Sequence, residues 1–265
     1  MIVDDVFLQY LPADFHVSIF VKVKGSSKLQ SHRPFTSLVG SAPIPTSNAK
    51  SSSTSSLLFT SGTTGPSKAC VLTHDYFISV GLELINSLHL NTQDVLFCPF
   101  PLCHADATSL TVIPSLILQT TAAISVKFSA SKWWDEIRQT KSTVADFMGA
   151  TLSILFKAPP LPTDRDNSLR LMWGVPVPAW VEQFEDRFNL KIYEVYGSTE
   201  TGLPVVQPLD KPRVKGSCGV ALENIDLEIV DDHGNRLGRG LVGELLVRQP
   251  PQSRFSGMTL LLIKT

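Results

Sequence analysis

Charge imbalance, cysteine and long apolar runs are all scarce in this sequence, and each shortage excludes something. Lys+Arg is 23 and Asp+Glu is 24, a formal net charge of −1. A chain so balanced has no electrostatic reason to bind nucleic acid or an anionic membrane. Charged residues make up only 18%, below the roughly 25% usual in globular proteins. The four cysteines, Cys70, Cys98, Cys103 and Cys218, fit no disulfide scaffold by spacing. Cys98, Cys103 and His104 lie close together, but Cys218 stands alone and no second ligand pair follows, so zinc is not expected. No apolar run approaches the roughly 20 residues of a membrane span. The N-terminus, Met1 to Asp5, lacks the basic and apolar regions of a signal peptide, and the final Ile263-Lys264-Thr265 is not a Ser-Lys-Leu address. The expectation is a cytoplasmic protein with free thiols and no membrane span. What the chain does have is 265 residues, 43% of them hydrophobic, enough to bury a sizeable core.

Three stretches differ in organisation. In residues 1–56, His16 to Lys24 alternates as a strand would, and residues 41–56 carry seven serines in sixteen positions, the composition of a linker. From 57 to 202 short apolar runs alternate with helical patterns. Strands are expected at Leu57–Phe59, Ala69–Leu72, Val95–Cys98, 121–126, Val144–Met148, Leu169–Trp173 and Lys191–Val195. Helices are expected over 75–88 with Thr73 as cap, then over 108–118, Ser131–Arg138, Thr151–Lys157 and Pro178–Phe188. Strands separated by helices predict a parallel sheet covered on both faces. After Gly202, Ile225–Val230 and Gly243–Arg248 alternate around the turn Asp231 to Asn235, which predicts a small antiparallel β module over 203–265.

Two segments carry the chemistry. Thr60-Ser61-Gly62-Thr63-Thr64-Gly65-Pro66-Ser67-Lys68 follows a predicted strand. Its glycines let backbone amides approach an anion, its hydroxyls donate to phosphate oxygens, and its lysine supplies positive charge. Only two residues separate Gly62 from Gly65, so this is not the Walker A pattern. A plain Gly/Ser/Thr turn between hairpin strands is the alternative. The second segment, Tyr196-Gly197-Ser198-Thr199-Glu200, follows another predicted strand, where open α/β sheets bind ligands. Tyr196 could stack on a base, Thr199 could bond a phosphate, and Glu200 could hold Mg²⁺. A solvated polar loop is the alternative.

Taken together and in this order, the two segments resemble the signature pair of the adenylate-forming superfamily, which includes acyl-CoA synthetases, firefly luciferase and peptide-synthetase adenylation domains. Pro99-Phe100-Pro101-Leu102-Cys103-His104, Trp173-Gly174-Val175-Pro176 and Gly243-Glu244-Leu245 resemble further segments of that family, so the resemblance covers about 57–248. Its details look most like acid–CoA ligases, the carnitine/crotonobetaine type nearest. The resemblance implies an incomplete doubly wound sheet, that of the superfamily's N-terminal domain, followed by the small β module. It also implies a two-step reaction: a carboxylic acid and Mg·ATP give an acyl adenylate and pyrophosphate, then the CoA thiol displaces AMP. Thr60, Ser61, Gly62, Thr63, Thr64, Gly65 and Lys68 would hold the pyrophosphate, with Ser198 and Thr199 at the phosphates. Glu200 would ligate Mg²⁺, and Tyr196 and Gly197 would line the adenine slot. His104 and Trp173, Gly174 and Val175 would border the acid. A hydrogen-bonded core histidine and a core tryptophan are the alternatives for His104 and Trp173.

The chain also departs from that pattern. Ala69 stands where the family has glycine, and the Thr-Gly-Asp that binds ribose does not follow Gly243-Glu244-Leu245. The resemblance leads one to expect that the small C-terminal domain with its catalytic lysine is absent and that the family's N-terminal section is missing or replaced by residues 1–56. The expectation is an internal fragment of a longer enzyme with impaired adenylation, since one preorganised donor is worth about 3–4 kcal/mol in a transition state. Two rivals follow: a non-catalytic remnant that binds nucleotide or a partner protein, and an adenylating enzyme that loads a carrier protein in place of CoA.

Overall fold

The computed structural model describes residues 2–4, 20–22, 33–34, 48–60, 68–249 and 258–259. The chain forms two compact units, Met1–Ala49 and Lys50–Thr265. In the first, β1 (Ile2–Asp4) pairs in parallel with β2 (Phe20–Lys22), and β2 with β3 (Arg33–Pro34). The strand expected over His16 to Lys24 is present as β2, its other residues lying outside the described ones.

The second unit opens with a hairpin. Strands β4 (Thr54–Thr60) and β5 (Lys68–Thr73) pair antiparallel from Leu57↔Val71 to Thr60↔Lys68, and β15 (Met258–Thr259) pairs antiparallel with the other edge of β5. Thr54 to Ser56, which composition assigns to the linker, begin β4. The residues that join the strands, 61–67, lie outside the described ones, and so do the expectations placed on Ser61, Gly62, Thr63, Thr64 and Gly65.

Helix α1 (His74–Ser87) starts where Thr73 predicts: its hydroxyl accepts from Tyr76 N at 3.1 Å. The remaining elements are β6 (Val95–Cys98), α2 (Ala105–Ala107), a π turn (Thr108–Val112), α3 (Ile113–Leu118), β7 (Thr121–Ile124), α4 (Trp133–Thr140), β8 (Val144–Met148), α5 (Gly149–Lys157), β9 (Leu171–Val175), α6 (Val181–Phe188) and β10 (Lys191–Ser198). The single helix expected over 108–118 is thus two segments, the π turn and α3, preceded by α2, and the helix expected from Pro178 begins at Val181.

The sheet order is β12-β11-β10-β9-β8-β6-β7, and β7, β6, β8, β9 and β10 run parallel. Residues 202–206 (β11) and 220–221 (β12) continue this sheet antiparallel, and β13 (Asp226–Val230) pairs antiparallel with β14 (Glu244–Arg248) as a separate ribbon.

Alternation along the parallel strands explains the two-faced core. Leu96, Val144, Leu171 and Trp173 pack toward α1 and the 105–118 helices, while Phe97, Ala145 and Met172 pack toward α4, α5 and α6. Both faces are apolar because both are covered. The doubly wound α/β expectation holds. At the other end of the sheet, Arg170 grips the buried Asp94 with two bonds of 2.8 Å, and Thr143 donates to the same carboxylate at 2.7 Å. Burial alone would push the Asp94 carboxyl up; these bonds outweigh it and hold it below its ordinary value.

Candidate active site

The sheet order fixes where a ligand can bind. From β6 the chain crosses to β7 on one side and then returns to β8 on the other. At such a switch point the two connections leave in opposite directions and open a crevice beyond the carboxyl ends of the strands. A cavity of about 480 Å³ lies there. Its wall takes Cys103 and His104 from beyond β6, Phe147 and Met148 from the end of β8, and Trp173, Gly174 and Val175 from the end of β9. Gly197, Ser198, Thr199 and Glu200 come from the end of β10, and Thr60 from the end of β4.

Two of the glycines in this wall, Gly174 and Gly197, are there for space. A Cβ on Gly174 would sit 1.8 Å from the Phe147 carbonyl oxygen, its register partner across β8 and β9. A Cβ on Gly197 would sit 2.0 Å from the Gly202 carbonyl oxygen, where the β10–β11 register shifts. Any side chain there would push the strands apart.

The loop after β10 is held by its own bonds. Ser198 N donates to Thr201 Oγ1 at 3.1 Å, and Thr201 N donates to Ser198 Oγ at 3.2 Å. Tyr76 of α1 donates its hydroxyl to the Thr199 carbonyl at 2.9 Å, and Gln249 reaches the Thr201 carbonyl. Burial pushes the Tyr76 hydroxyl well above its ordinary value, aided by the neighbouring acidic groups of Cys70, Glu83, Glu200 and Asp106, so it stays a donor. Cys70 of β5 is fully buried near the Glu200 carboxylate. Burial first, then the Glu200 charge, pushes its thiol up to about 11. Thr199 is therefore held from the helix side. Among the described residues no group of three or more His, Cys, Asp or Glu could hold a metal ion. One carboxylate in the wall fits an ion that keeps most of its ligands from water and phosphate, as Mg²⁺ does.

His104 caps α2: its Nδ1 accepts from Asp106 N at 3.2 Å and lies 3.5 Å from Asp106 Oδ1. The neutral ring accepts from the amide; the protonated ring faces the carboxylate. That carboxylate raises the His104 pKa above 6.5, against the opposing effect of burial. Beneath this corner Asp146 is wholly buried, beside Trp173 in register. Its Oδ2 accepts from the Cys98 thiol at 3.4 Å, and its Oδ1 has no hydrogen-bond partner among the described residues. Burial, then the Asp106 charge, pushes its pKa well above 3.8. Ser109 of the π turn is also wholly buried, and its hydroxyl has no hydrogen-bond partner among the described residues.

The expected site residues separate into those in the wall and those outside it. Thr60, His104, Gly174, Val175, Gly197, Ser198, Thr199 and Glu200 share the cavity, and so does Trp173, which is also a core aromatic at 3% exposure. Lys68 lies at the start of β5, exposed and opposite Thr60 in register, and is not in the wall. Tyr196 is 41% exposed and is not in the wall either. Tyr76, Cys103, Asp106 and Ser109 line the cavity without having been singled out for function. Tyr76 reads as part of an apolar helical face, and nothing local marks its long-range bond. The spacing of Asp106, two residues after His104, was the available signal for that pair.

Comparison with known proteins agrees with this architecture. A family model described as AMP-binding enzyme matches residues 4–257. A medium/long-chain-fatty-acid–CoA ligase, FadD17 of Mycobacterium marinum, is 34% identical over 203 residues, 76% of this chain and 39% of that protein. The crotonobetaine/carnitine–CoA ligase of Salmonella paratyphi B is 30% identical over 247 residues, 92% of this chain and 45% of that protein. The chain thus spans less than half the length of either relative. The solved anthranilate CoA ligase AuaEII, in complex with anthranoyl-AMP, superposes with a TM-score of 0.83 at 22% identity, over 97% of this chain and 51% of that one. That likeness is one of fold. Among the described residues no helix is long and apolar enough to cross a membrane. With a family match over almost its whole length and a cavity at the sheet's switch point, the chain belongs to the AMP-binding enzyme family.

Proposed function

We propose that the cavity binds Mg·ATP and a carboxylic acid for acyl-adenylate formation, the first half of an acid–CoA ligase reaction with CoA as the second acceptor. The observation that carries this reading is the convergence of Thr60 with Thr199 and Glu200 in one wall, from segments about 140 residues apart. The hydroxyls of Thr60 and Thr199 would donate to phosphate oxygens from opposite sides, and Tyr76 would keep the Thr199 loop from turning away. Glu200 would hold Mg²⁺, which on binding offsets phosphate charge. Lys68 and residues 61–67 would receive the pyrophosphate. The base would lie by Gly197, with Tyr196 at the edge of the slot. The acid would lie against Trp173, Gly174 and Val175, among the apolar Leu110, Phe147 and Met148.

In the first step the acid's carboxylate oxygen attacks the α-phosphorus and pyrophosphate leaves. In the second the CoA thiol attacks the acyl carbonyl and AMP leaves. The relatives' names supply two classes of acid to try, fatty acids and carnitine-like acids. The test is melting with Mg·ATP followed by ATP–pyrophosphate exchange over such a panel. The reading expects ATP to raise the melting temperature, by about 2.7 kcal/mol of stability at a hundredfold excess over Kd, and at least one acid to drive exchange. No melting shift and no exchange would contradict it.

A further inference from the structure

We propose that Asp106 is a specificity-determining residue of this cavity: its carboxylate receives the cationic end of the substrate, a carboxylic acid that bears an ammonium group at its far end. The inference rests on the reading that an acyl adenylate occupies the cavity, and it adds the class of acyl group.

Three observations carry it. The first is the charge of the wall. Among its described residues the carboxylates are those of Asp106 and Glu200, no lysine or arginine is present, and His104 is the sole side chain able to become positive. Glu200 is taken up by the metal in the nucleotide reading, which leaves Asp106 unmatched. The second is the state of that carboxylate. Its side chain is 20% exposed, and its one ion-pair or hydrogen-bond partner among the described residues is His104, with Nδ1 at 3.5 Å. That nitrogen already accepts from the Asp106 amide at 3.2 Å, so the neutral ring offers the carboxylate no proton. A carboxylate largely withdrawn from water and short of a donor is relieved by a ligand that brings an N–H and a positive charge. The third is position. The Asp106 charge acts on Asp146, and Asp146 is the register partner of Trp173 across β8 and β9. Trp173 borders the part of the cavity assigned to the acid, so Asp106 lies at that end.

The recognition chemistry follows. The acid's own carboxylate faces the α-phosphate beside Thr199, its methylenes lie on Trp173, Phe147 and Leu110, and its ammonium donates to Asp106. Apolar walls that exclude water make this pair stronger than one on the surface. A methyl group in place of the ammonium leaves the carboxylate without a donor, and a second carboxylate there meets a like charge. Selection by a group left unpaired is sharper than selection by the fit of one methylene.

The test is calorimetry on the full chain with acyl sulfamoyl adenosines, non-hydrolysable mimics of acyl adenylates that bind without turnover. A mildly alkaline buffer keeps the His104 ring neutral and the ligand's ammonium charged. The acyl groups are γ-aminobutyryl, valeryl and glutaryl, which place an ammonium, a methyl or a carboxylate at the same point. A pair one methylene longer, δ-aminovaleryl and caproyl, brackets the depth of Asp106. In at least one pair the ammonium compound should bind about tenfold or more tightly than the methyl compound, with glutaryl weakest. Asp106→Asn should bring the ratio within that pair close to one. The comparison among compounds on the wild type stands without the variant. Equal binding within both pairs, tighter binding of the methyl compounds, or a preference that survives in Asp106→Asn would overturn the proposal. If AMP raises the melting temperature and the methyl compounds bind as well as the ammonium ones, this inference fails and the nucleotide reading stands. If no compound binds and AMP does not shift melting, both fail.

Discussion

Asp146 has a pH dependence opposite in sign to that of most carboxyls. Its folded pKa is raised above the unfolded 3.8, so the folded state binds more protons than the unfolded one over the window between the two values. Stability therefore falls as pH rises through that window, by up to about 1.4 kcal/mol per pH unit. Asp146→Asn removes the charge and keeps the shape. Its melting temperature should exceed that of the wild type, by a margin that is larger at about pH 8 than at about pH 5. Melting curves across that range check this, and an equal margin at both ends would contradict it. Glu200→Gln addresses a different property. Losing one anionic ligand should weaken Mg·ATP binding about tenfold or more while leaving Mg-free AMP binding nearly unchanged, as read by calorimetry. At this scale the sequence shows which residue types matter but not their partners. Gly174 and Gly197 stand out as glycines in motifs, yet the carbonyls that exclude a Cβ belong to Phe147 and Gly202. The burial of Asp146 depends on which face of β8 is covered by the 105–118 helices, and its own neighbours in sequence do not encode that.

Among the elements, α1 does more than cover the sheet. It joins the core through Phe77, Val80 and Leu84, and through Tyr76 it carries the bond that steadies the Thr199 loop. Tyr76→Phe should cost about 1 kcal/mol of stability, the usual net value of one hydrogen bond. It should also weaken nucleotide binding, which a merely structural role would not do; melting and calorimetry on the same variant separate the two. The Asp94–Arg170 clamp ties the ends of β9 and α1 near the opposite rim, where Arg170 also reaches the Leu88 and His89 carbonyls. Asp94 is held below 3.8, so its contribution is present above the unfolded value and lost as pH falls through the folded one. Asp94→Asn should lose about 2–3 kcal/mol near neutral pH, and the difference from the wild type should shrink in acid, as denaturant titrations would show. Short, nearly continuous apolar runs made most parallel strands readable, Val144–Met148 among them. The antiparallel β11 was not, because Gly202–Val206 is a short run whose direction is set by the Ser198–Thr201 turn. The π turn at 108–112 was equally hidden, since an apolar helical pattern does not distinguish ladders of different pitch.

For the whole molecule, the claim is that sheet order creates the cavity and the two signature segments furnish its walls. The segments were legible as chemistry because hydroxyls, glycines and a carboxylate are grouped as phosphate binding requires. Their meeting was not legible from spacing, because it depends on β6, β8, β9 and β10 lying side by side with the β4–β5 hairpin beside their carboxyl ends. The most direct measurement is a crystal structure of the chain grown with Mg·ATP. The account predicts the α-phosphate within hydrogen-bonding distance of Thr199, with the triphosphate running toward Thr60 and the metal on Glu200. Nucleotide bound anywhere other than between those residues would contradict it.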